Sequence, residues 1–193
     1  MQRKHDINEI LEKGLEVIRE KGYTNTGIDD ILKANGIPKG SFYNFFKNKE
    51  EFGVRAMQVY TEHQVVWIES ILGDETKKPV ERLALFYESL ISTNVDEKCR
   101  RGCLVGNMTQ EMAGLSDPIG RQAQESLQKI STIIAKCIKE GQELEEIRTD
   151  YAAEDLADYL HNSFYGFLLR AKAARDRKQF DIFTEMMFKF IKK

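Results

Sequence analysis

The sequence predicts an all-α fold of about nine helices, and three observations support this. Apolar residues recur at helical spacing along most of the chain, whereas the alternation typical of β-strands is nearly absent. There are only three prolines, each where it can punctuate a helical chain without breaking a helix. The 193 residues can bury a proper core, and the length falls between one large domain and two small ones.

The N-terminal part of the chain predicts three short helices in succession. The first carries apolar residues on one face from position 7 onward and ends at Gly22. We expect Thr26 to cap the second helix, which ends at Gly36. Pro38 fits the first turn of the third helix, which must be short because another helix begins about ten residues later.

A long fourth helix and five more follow. Asn48 with Glu51 three residues later resembles a capping box, and the apolar pattern then continues to Gly73. The segment GDETKKP, residues 73–79, is the clearest loop in the chain. Helical periodicity predicts the remaining helices at 79–94, 103–114, 117–141, 151–174 and 178–192.

The charge distribution is compatible with a nucleic-acid partner in one region only. The formal net charge is -2, which argues against general binding of polyanions. Between Lys39 and Arg55, however, four basic residues stand against two acidic ones. Since phosphate contacts need positive charge only where the DNA docks, the overall charge does not exclude a DNA-binding function.

Residues of about 27–46 have the features of a helix-turn-helix. Gly36 supplies the tight turn between its two helices. An apolar seam between them is expected from Ile28, Ile31, Leu32 and Ile37. The surface of the second helix would carry the donors Lys39, Ser41, Tyr43 and Asn44. Gly40, near the start of this helix, lets the backbone approach DNA, while Phe42 and Phe46 are expected to fill the core.

The same stretch resembles the signature of the TetR family of transcriptional regulators. The matching residues are Ala34, Gly36, Ile37, Gly40, Ser41, Phe42, Tyr43, Phe46, Lys49 and Glu50. The resemblance covers most of residues 1–55 without a gap, and Phe45 departs from it by replacing a residue that is often polar. It implies a DNA-binding domain at 1–55 and an effector-binding and dimerisation domain at 56–193.

The resemblance also implies roles for individual residues and for the whole protein. The residues that contact phosphates would be Thr26, Tyr43 and Lys49. Those that face base edges or the backbone of the recognition site would be Lys39, Ser41 and Asn44, with Gly40 beside them. The protein would be a homodimer that represses from a palindromic double-stranded DNA operator until a small-molecule or electrophile effector releases it. Activation in place of repression stays open.

The last two helices are the expected dimerisation elements. Their apolar stripes, at Leu160, Phe164 and Phe167 and at Phe183, Met187 and Phe190, suit a four-helix bundle between two subunits. The same stripes could equally form the core of one subunit, and both functions can coexist along one helix.

The segment from Cys99 to Gly114 is the most unusual of the C-terminal part. Its Gly-Cys-Leu-x-x-Asn core, residues 102–107, resembles a TetR branch that includes regulators of electrophile and reactive-chlorine detoxification. The resemblance implies that Cys103 is the sensor, and its position at a helix N-terminus near Arg100 and Arg101 would stabilise a thiolate. The alternative is that Cys103 packs as a small apolar residue. Cys137 is expected in the core.

A non-covalent effector would instead need a pocket among the fourth to eighth helices. The candidate lining residues are Trp67, Phe86, Tyr87, Met108, Met112, Phe164 and Tyr165. Aromatic and methionine stripes of this kind also occur in ordinary helical cores.

Other classes of function have less support. An enzyme is not expected, because the chain lacks a phosphate-binding glycine loop, a metal-binding histidine motif and a nucleophile elbow. We therefore predict no cofactor and no metal. The rival interpretation is a helical adaptor that binds protein, but it leaves Lys39 to Lys49 unexplained. With no apolar membrane span, no signal-peptide core and an odd number of cysteines, the expected location is the cytoplasm and no membrane partner is expected.

Overall fold

The structure is a computed structural model that describes residues 6–193, except for the side chain of Lys39. Over this range, regular secondary structure consists of α1 (Ile7–Lys21), α2 (Ile28–Asn35), α3 (Lys39–Phe42), α4 (Lys49–Leu72), α5 (Pro79–Asp96), α6 (Leu104–Met112), α7 (Asp117–Glu143), α8 (Ala153–Ala174) and α9 (Lys178–Ile191). The prediction of an all-α fold of about nine helices is confirmed. Among the described residues, no helix is both long enough and apolar enough to cross a membrane.

The N-terminal helices begin and end at the predicted capping residues, with one exception. Gly22 and Gly36 end α1 and α2 with φ angles of 84° and 63°, where a side chain would be strained. The Glu51 N–H donates to Asn48 Oδ1 at 2.8 Å, so Asn48 caps α4 as predicted. The prediction that Thr26 caps α2 is wrong. Gly27 is the N-cap residue there, and the Asp30 carboxylate accepts its N–H at 2.8 Å.

The chain forms two compact units, and each is built from two separate stretches of sequence. The first contains the residues up to His63 together with Cys103–Leu127, and the second contains Gln64–Gly102 and Gln128–Lys193. Helix α6 and the first part of α7 therefore belong to the same unit as α1 to α3. A functional division into 1–55 and 56–193 stays a prediction.

The first unit has its own hydrophobic core. Side chains of α1, α2, α3, the N-terminal half of α4, α6 and the start of α7 contribute to it. Its most deeply buried members include Ile31, Phe42, Phe52, Met57, Val105, Met108 and Ile119, each 0% exposed. Because α6 supplies Leu104, Val105 and Met108 to this core, α6 packs with the helices that carry the helix-turn-helix.

The second unit is built around a cluster of aromatic rings from α5, α8 and α9. Tyr87 lies 5.5 Å from Phe164 and 5.0 Å from Phe183, measured between ring centroids. The buried Arg82 guanidinium donates to the Leu72 carbonyl oxygen at 2.6 Å and also pairs with Glu140. The apolar stripes Leu160 and Phe164 on α8 and Phe183 and Met187 on α9 are buried in the core of one subunit.

Candidate nucleic-acid interface and effector residues

The turn between α2 and α3 is tight because Gly36 adopts a left-handed conformation. The Ile37 N–H donates to the Leu32 carbonyl oxygen at 3.1 Å across this turn. Both side chains are buried, at 6% and 5% exposure, and they form the apolar seam that the sequence predicts. This hydrogen bond and seam fix the angle at which α3 leaves α2.

Two phenylalanines hold α3 and the following turns against the first unit. Phe42 and Phe46 are 0% and 1% exposed, and their ring centroids lie 5.1 Å apart. Phe52 of α4 lies 5.0 Å from the Phe46 ring in an edge-to-face arrangement. The prediction that Phe42 and Phe46 are core residues is confirmed. With one side of this segment buried, its opposite side is left at the surface.

The predicted DNA-reading residues lie on that opposite side. Tyr43 is 57% exposed, Asn44 is exposed and Ser41 is half-buried. A Cβ atom at Gly40 would have no neighbour within 4 Å, so the backbone there is open to an approaching molecule. The side chain of Lys39, also predicted to read DNA, lies outside the described part of the structure.

Lys49 is the first residue of α4 and lies against the turn between α1 and α2. Its Nζ atom is 4.4 Å from the centroid of the Tyr23 ring and donates to the Thr24 carbonyl oxygen at 3.4 Å. Partial burial lowers the pKa of Lys49, and the carboxylates of Glu111 and Asp30 oppose this effect. The ammonium group therefore lies at a helix N-terminus, half-buried and charge-compensated.

The side chain of Thr26 is not placed as expected for the phosphate contact that the resemblance implies. It is 0% exposed, and its hydroxyl donates to the Gly22 carbonyl oxygen at 2.7 Å. This bond within the α1–α2 turn also explains why Thr26 does not cap α2. The side chain of Thr26 therefore holds the turn and does not reach the surface that a phosphate would occupy.

Cys103 lies at the N-cap position of α6, as the sequence predicts, and is half-buried. Its side chain forms a hydrogen bond with the hydroxyl of Tyr60 on α4, which also accepts the Leu104 N–H. Burial raises the pKa of Tyr60 well above its usual range, and the neighbouring Cys103 raises it further, whereas Arg19 lowers it. A phenol that stays protonated thus contacts the thiol of Cys103.

The other two free cysteines are less accessible. Cys137 is 1% exposed, and burial raises the pKa of its thiol to about 11. Cys99 is 4% exposed, in the turn after α5, and burial raises the pKa of its thiol as well. The core position predicted for Cys137 is confirmed. Of the three, Cys103 is the thiol that a reagent could reach most easily.

The candidate pocket residues are divided between the two compact units. Met108 is fully buried and Met112 half-buried in the first unit, which also holds Cys103. Trp67 and Phe164 belong to the second unit, where the Trp67 ring lies 5.8 Å from Phe86 and Phe164 contacts Tyr87.

Besides the Nε atom of Arg82, which pairs through its other nitrogens, three buried side chains of the second unit have polar atoms without a hydrogen-bond partner among the described residues. These atoms are the Tyr87 hydroxyl oxygen, Asn94 Oδ1 and both ring nitrogens of His161. Burial lowers the pKa of His161 to about 4, opposed by the nearby Asp158, so the ring is neutral at pH 7. Sequence reasoning named Tyr87 as a pocket candidate but missed Asn94 and His161. Within residues 6–193, no group of three His, Cys, Asp or Glu side chains is arranged to hold a metal ion.

Two protein-family models match the chain. Residues 10–54 match the model of "Bacterial regulatory proteins, tetR family", and residues 79–187 match "Tetracyclin repressor-like, C-terminal domain". The first match contains the helix-turn-helix described above, from Ile28 to Phe46. The second spans more than half of the chain.

Individual relatives agree with these models. The chain is 38% identical over 179 residues to the HTH-type transcriptional repressor DhaR of Mycobacterium sp. (strain GP1), covering 93% of this chain and 88% of DhaR. It is 24% identical over 174 residues to the repressor NemR of Escherichia coli (strain K12), covering 89% of this chain and 86% of NemR.

Solved structures have the same fold. A crystal structure of a regulatory protein TetR from Rhodobacter sphaeroides is 32% identical, with a TM-score of 0.88, and covers 95% of this chain and 97% of that one. The reduced form of E. coli NemR, at 20% identity and a TM-score of 0.86, covers 95% of each chain and supports the fold alone. The family models and relatives are those of transcription regulators and not of enzymes, and this chain is a DNA-binding transcriptional regulator that belongs to the TetR family.

Proposed function

We propose that the protein is a repressor that leaves a palindromic operator when an electrophile reacts with Cys103. The observation that carries the proposal is the position of Cys103, a half-buried thiol at the N-cap of α6, in the compact unit that contains the helix-turn-helix. A reaction at this residue therefore changes the packing of the same unit that docks on DNA. The relatives DhaR and NemR are both repressors, which favours repression over activation.

DNA recognition would use the exposed side of α3 and of the turns that follow it. Tyr43 and Lys49 would contact phosphates, while Ser41 and Asn44 would reach base edges or the nearby backbone, with Lys39 in the same role. Gly40 would allow the backbone to approach closely. Thr26 would contribute by holding the α1–α2 turn.

A homodimer is required for a palindromic operator, because two reading elements must reach half-sites about 34 Å apart. The outer sides of α8 and α9 are suited to pair with a second copy. Tyr159 and Leu169 on α8 and Ile182 and Met186 on α9 are all exposed apolar residues, between 39% and 58% exposed. The Tyr159 ring lies 4.9 Å from Phe190, so these outer sides are adjacent. The apolar stripes predicted from the sequence are mostly buried within the subunit. The exposed apolar residues of α8 and α9 would therefore form the interface in their place.

The surroundings of Cys103 make it a better site for reaction with an electrophile than Cys99 or Cys137. Cys103 is half-buried, whereas Cys99 and Cys137 are buried and burial raises the pKa of both their thiols. Addition of the thiol to an activated C=C bond forms a carbon–sulfur bond, breaks the π bond and moves the thiol proton to the adjacent carbon. No oxidant is needed. The adduct would displace Tyr60 from its hydrogen bond with Cys103.

A second candidate effector is a non-covalent ligand of the second unit. The unpartnered polar atoms of Tyr87, Asn94 and His161 are the observation that favours it, since buried polar groups normally have partners. Such a ligand would be a small molecule with both hydrogen-bond donors and acceptors, placed among aromatic rings such as Trp67 and Phe164.

The test needs an operator, which can be selected from random DNA with the reduced protein. Binding of this operator is measured by fluorescence anisotropy before and after treatment with N-ethylmaleimide or benzoquinone, and intact mass identifies the modified residue. We expect the wild-type protein to lose affinity by about a hundredfold, within the range of allosteric coupling free energies. The Cys103→Ser variant should bind DNA equally well and resist both reagents, whereas Cys99→Ser should behave as wild type.

Release of the Cys103→Ser variant by either reagent would exclude Cys103 as the sensor, and intact mass would then identify the residue that reacts instead. A reduced protein that selects no operator from random DNA would contradict the repressor proposal altogether.

A further inference from the structure

The carboxylate of Glu111, near the end of α6, lies over the turn between α1 and α2. Its Oε2 atom accepts the Thr24 N–H at 2.7 Å, and Oε1 accepts the Tyr23 N–H at 3.4 Å. A Cβ atom added to Gly22 would lie 3.1 Å from Oε1, so the carboxylate also packs on the backbone of Gly22. One side chain of α6 thus contacts three consecutive residues of the turn.

The turn that Glu111 contacts is connected directly to the reading element. The Thr26 N–H donates to the Tyr23 carbonyl oxygen at 3.2 Å, and the Thr26 hydroxyl donates to the Gly22 carbonyl oxygen at 2.7 Å. Helix α2 begins two residues later, at Ile28. A displacement of the turn therefore moves the first helix of the helix-turn-helix.

Neighbouring contacts couple the position of this carboxylate to the position of α6. Lys49 lies on the Tyr23 ring and its charge is compensated by Glu111, so a cation lies near the carboxylate. One helical turn before Glu111, the Met108 side chain packs near Gly53 of α4, and so does the Tyr23 ring. Met108 and Glu111 hence present one face of α6 to α4 and to the α1–α2 turn.

We infer that Glu111 is a positioning residue for DNA binding: its two hydrogen bonds hold the α1–α2 turn, and thereby α2 and α3, in the orientation that fits the operator. The regulatory part of the inference rests on the proposed function of Cys103. Cys103 and Glu111 are at opposite ends of α6, about 12 Å apart at the rise of an α-helix. A shift of α6 caused by an adduct at Cys103 withdraws the Glu111 carboxylate from Thr24 and releases the turn.

The first test uses the reduced protein and does not depend on Cys103. Glu111→Ala removes both acceptors, and we expect its affinity for the selected operator to fall about tenfold, as for the loss of charge-assisted hydrogen bonds. Glu111→Gln keeps one acceptor oxygen and should fall by about threefold. Affinity for random DNA should change much less, since orientation matters mainly for specific docking. The matched control is Glu125→Ala, which removes an exposed carboxylate of α7 and should leave both affinities unchanged.

A second readout separates positioning from general stability. Hydrogen exchange of the Tyr23 and Thr24 amides should accelerate in Glu111→Ala, while the buried amides of α4 keep their protection. Unchanged operator affinity in Glu111→Ala would overturn the inference. So would a loss of affinity that comes with a general loss of protection, because that pattern indicates a purely structural residue.

The regulatory part is tested by modifying Cys103 with N-ethylmaleimide in the wild type and in Glu111→Ala, with the extent of modification matched by intact mass. We expect the ratio of operator affinities before and after modification to be about a hundred in the wild type and about ten in the variant, because the variant has already lost the tenfold that Glu111 contributes. An equal ratio in both would overturn the transmission of the signal through Glu111. A ratio of one in the wild type would instead contradict the sensor function of Cys103, and the positioning function would then be decided by the reduced proteins.

Discussion

The Nζ atom of Lys49 lies 4.4 Å from the centroid of the Tyr23 ring, at the point where α4 begins beside the α1–α2 turn. The ammonium group has three N–H donors, of which one is hydrogen-bonded to the Thr24 carbonyl oxygen while the group also contacts the Tyr23 ring. The remaining donor capacity and the positive end of the α4 dipole are what a DNA phosphate would meet.

Replacing Lys49 should therefore weaken DNA binding without regard to sequence. We expect Lys49→Gln to bind the operator and random DNA less tightly and to lower the slope of log affinity against log salt by about one, as for one lost phosphate contact. Lys129→Gln, at an exposed position of α7, is the matched control. A salt slope equal to that of the wild type would contradict the phosphate contact.

Gly40 should be required for function and not for stability. Its Cβ position is open, so Gly40→Ala should keep or raise the free energy of unfolding by up to about 1 kcal/mol, as for alanine in a helix. The added methyl group would hold the backbone away from DNA, and we expect operator affinity to fall by about tenfold, the loss of one good contact. Titration of DNA and urea unfolding measure the two effects.

The control for Gly40 is Gly114, a glycine after α6 whose Cβ position is also open. Gly114→Ala should leave operator binding unchanged. If Gly40→Ala binds the operator as tightly as the wild type does, the backbone at this position does not approach DNA.

The sequence predicts the elements of this fold well because their signals are local. Gly36 and Asn48 end and begin helices through interactions within a few residues, and such patterns are visible in a single sequence. Thr26 shows the limit of this reasoning, since two local partners compete for its hydroxyl and the Gly22 carbonyl is preferred over the α2 cap.

Contacts between distant parts of the chain could not be predicted in the same way. Glu111 accepts a hydrogen bond from Thr24, which lies 87 residues earlier in the chain. Tyr60 of α4 contacts Cys103 at the start of α6, with the whole of α5 between them in the sequence. No residue pattern near Glu111 distinguishes it from an ordinary surface carboxylate. Candidate reading residues could be predicted because the helix-turn-helix is contiguous, whereas the residues around Cys103 come from three helices.

The buried hydroxyl of Thr26 provides a test that separates turn stability from phosphate binding. Thr26→Val keeps the shape but removes the bond to Gly22, so we expect the free energy of unfolding to fall by about 1–2 kcal/mol. Thr26→Ser keeps the hydroxyl and should preserve the bond. Well below the unfolding temperature, both variants should retain the wild-type salt slope in DNA titrations. A lower slope for Thr26→Val alone would mean that the hydroxyl contacts a phosphate after all.

His161 should make the stability of the second unit depend on pH. Burial lowers the pKa of His161 from 6.5 to about 4, so at intermediate pH the unfolded chain binds a proton that the folded chain does not. The stabilisation is complete above about pH 6.5 and is lost progressively as the pH falls to about 4, by about 3 kcal/mol in all.

Replacing this histidine should flatten the pH dependence. We expect His161→Phe to lose less stability than the wild type between neutral pH and about pH 4, measured as the shift of the urea midpoint. His63→Phe, at an exposed position of α4, should keep the wild-type pH dependence. If the His161→Phe midpoint falls as steeply as that of the wild type, another group causes the acid sensitivity, and the neutral buried imidazole is not the reason.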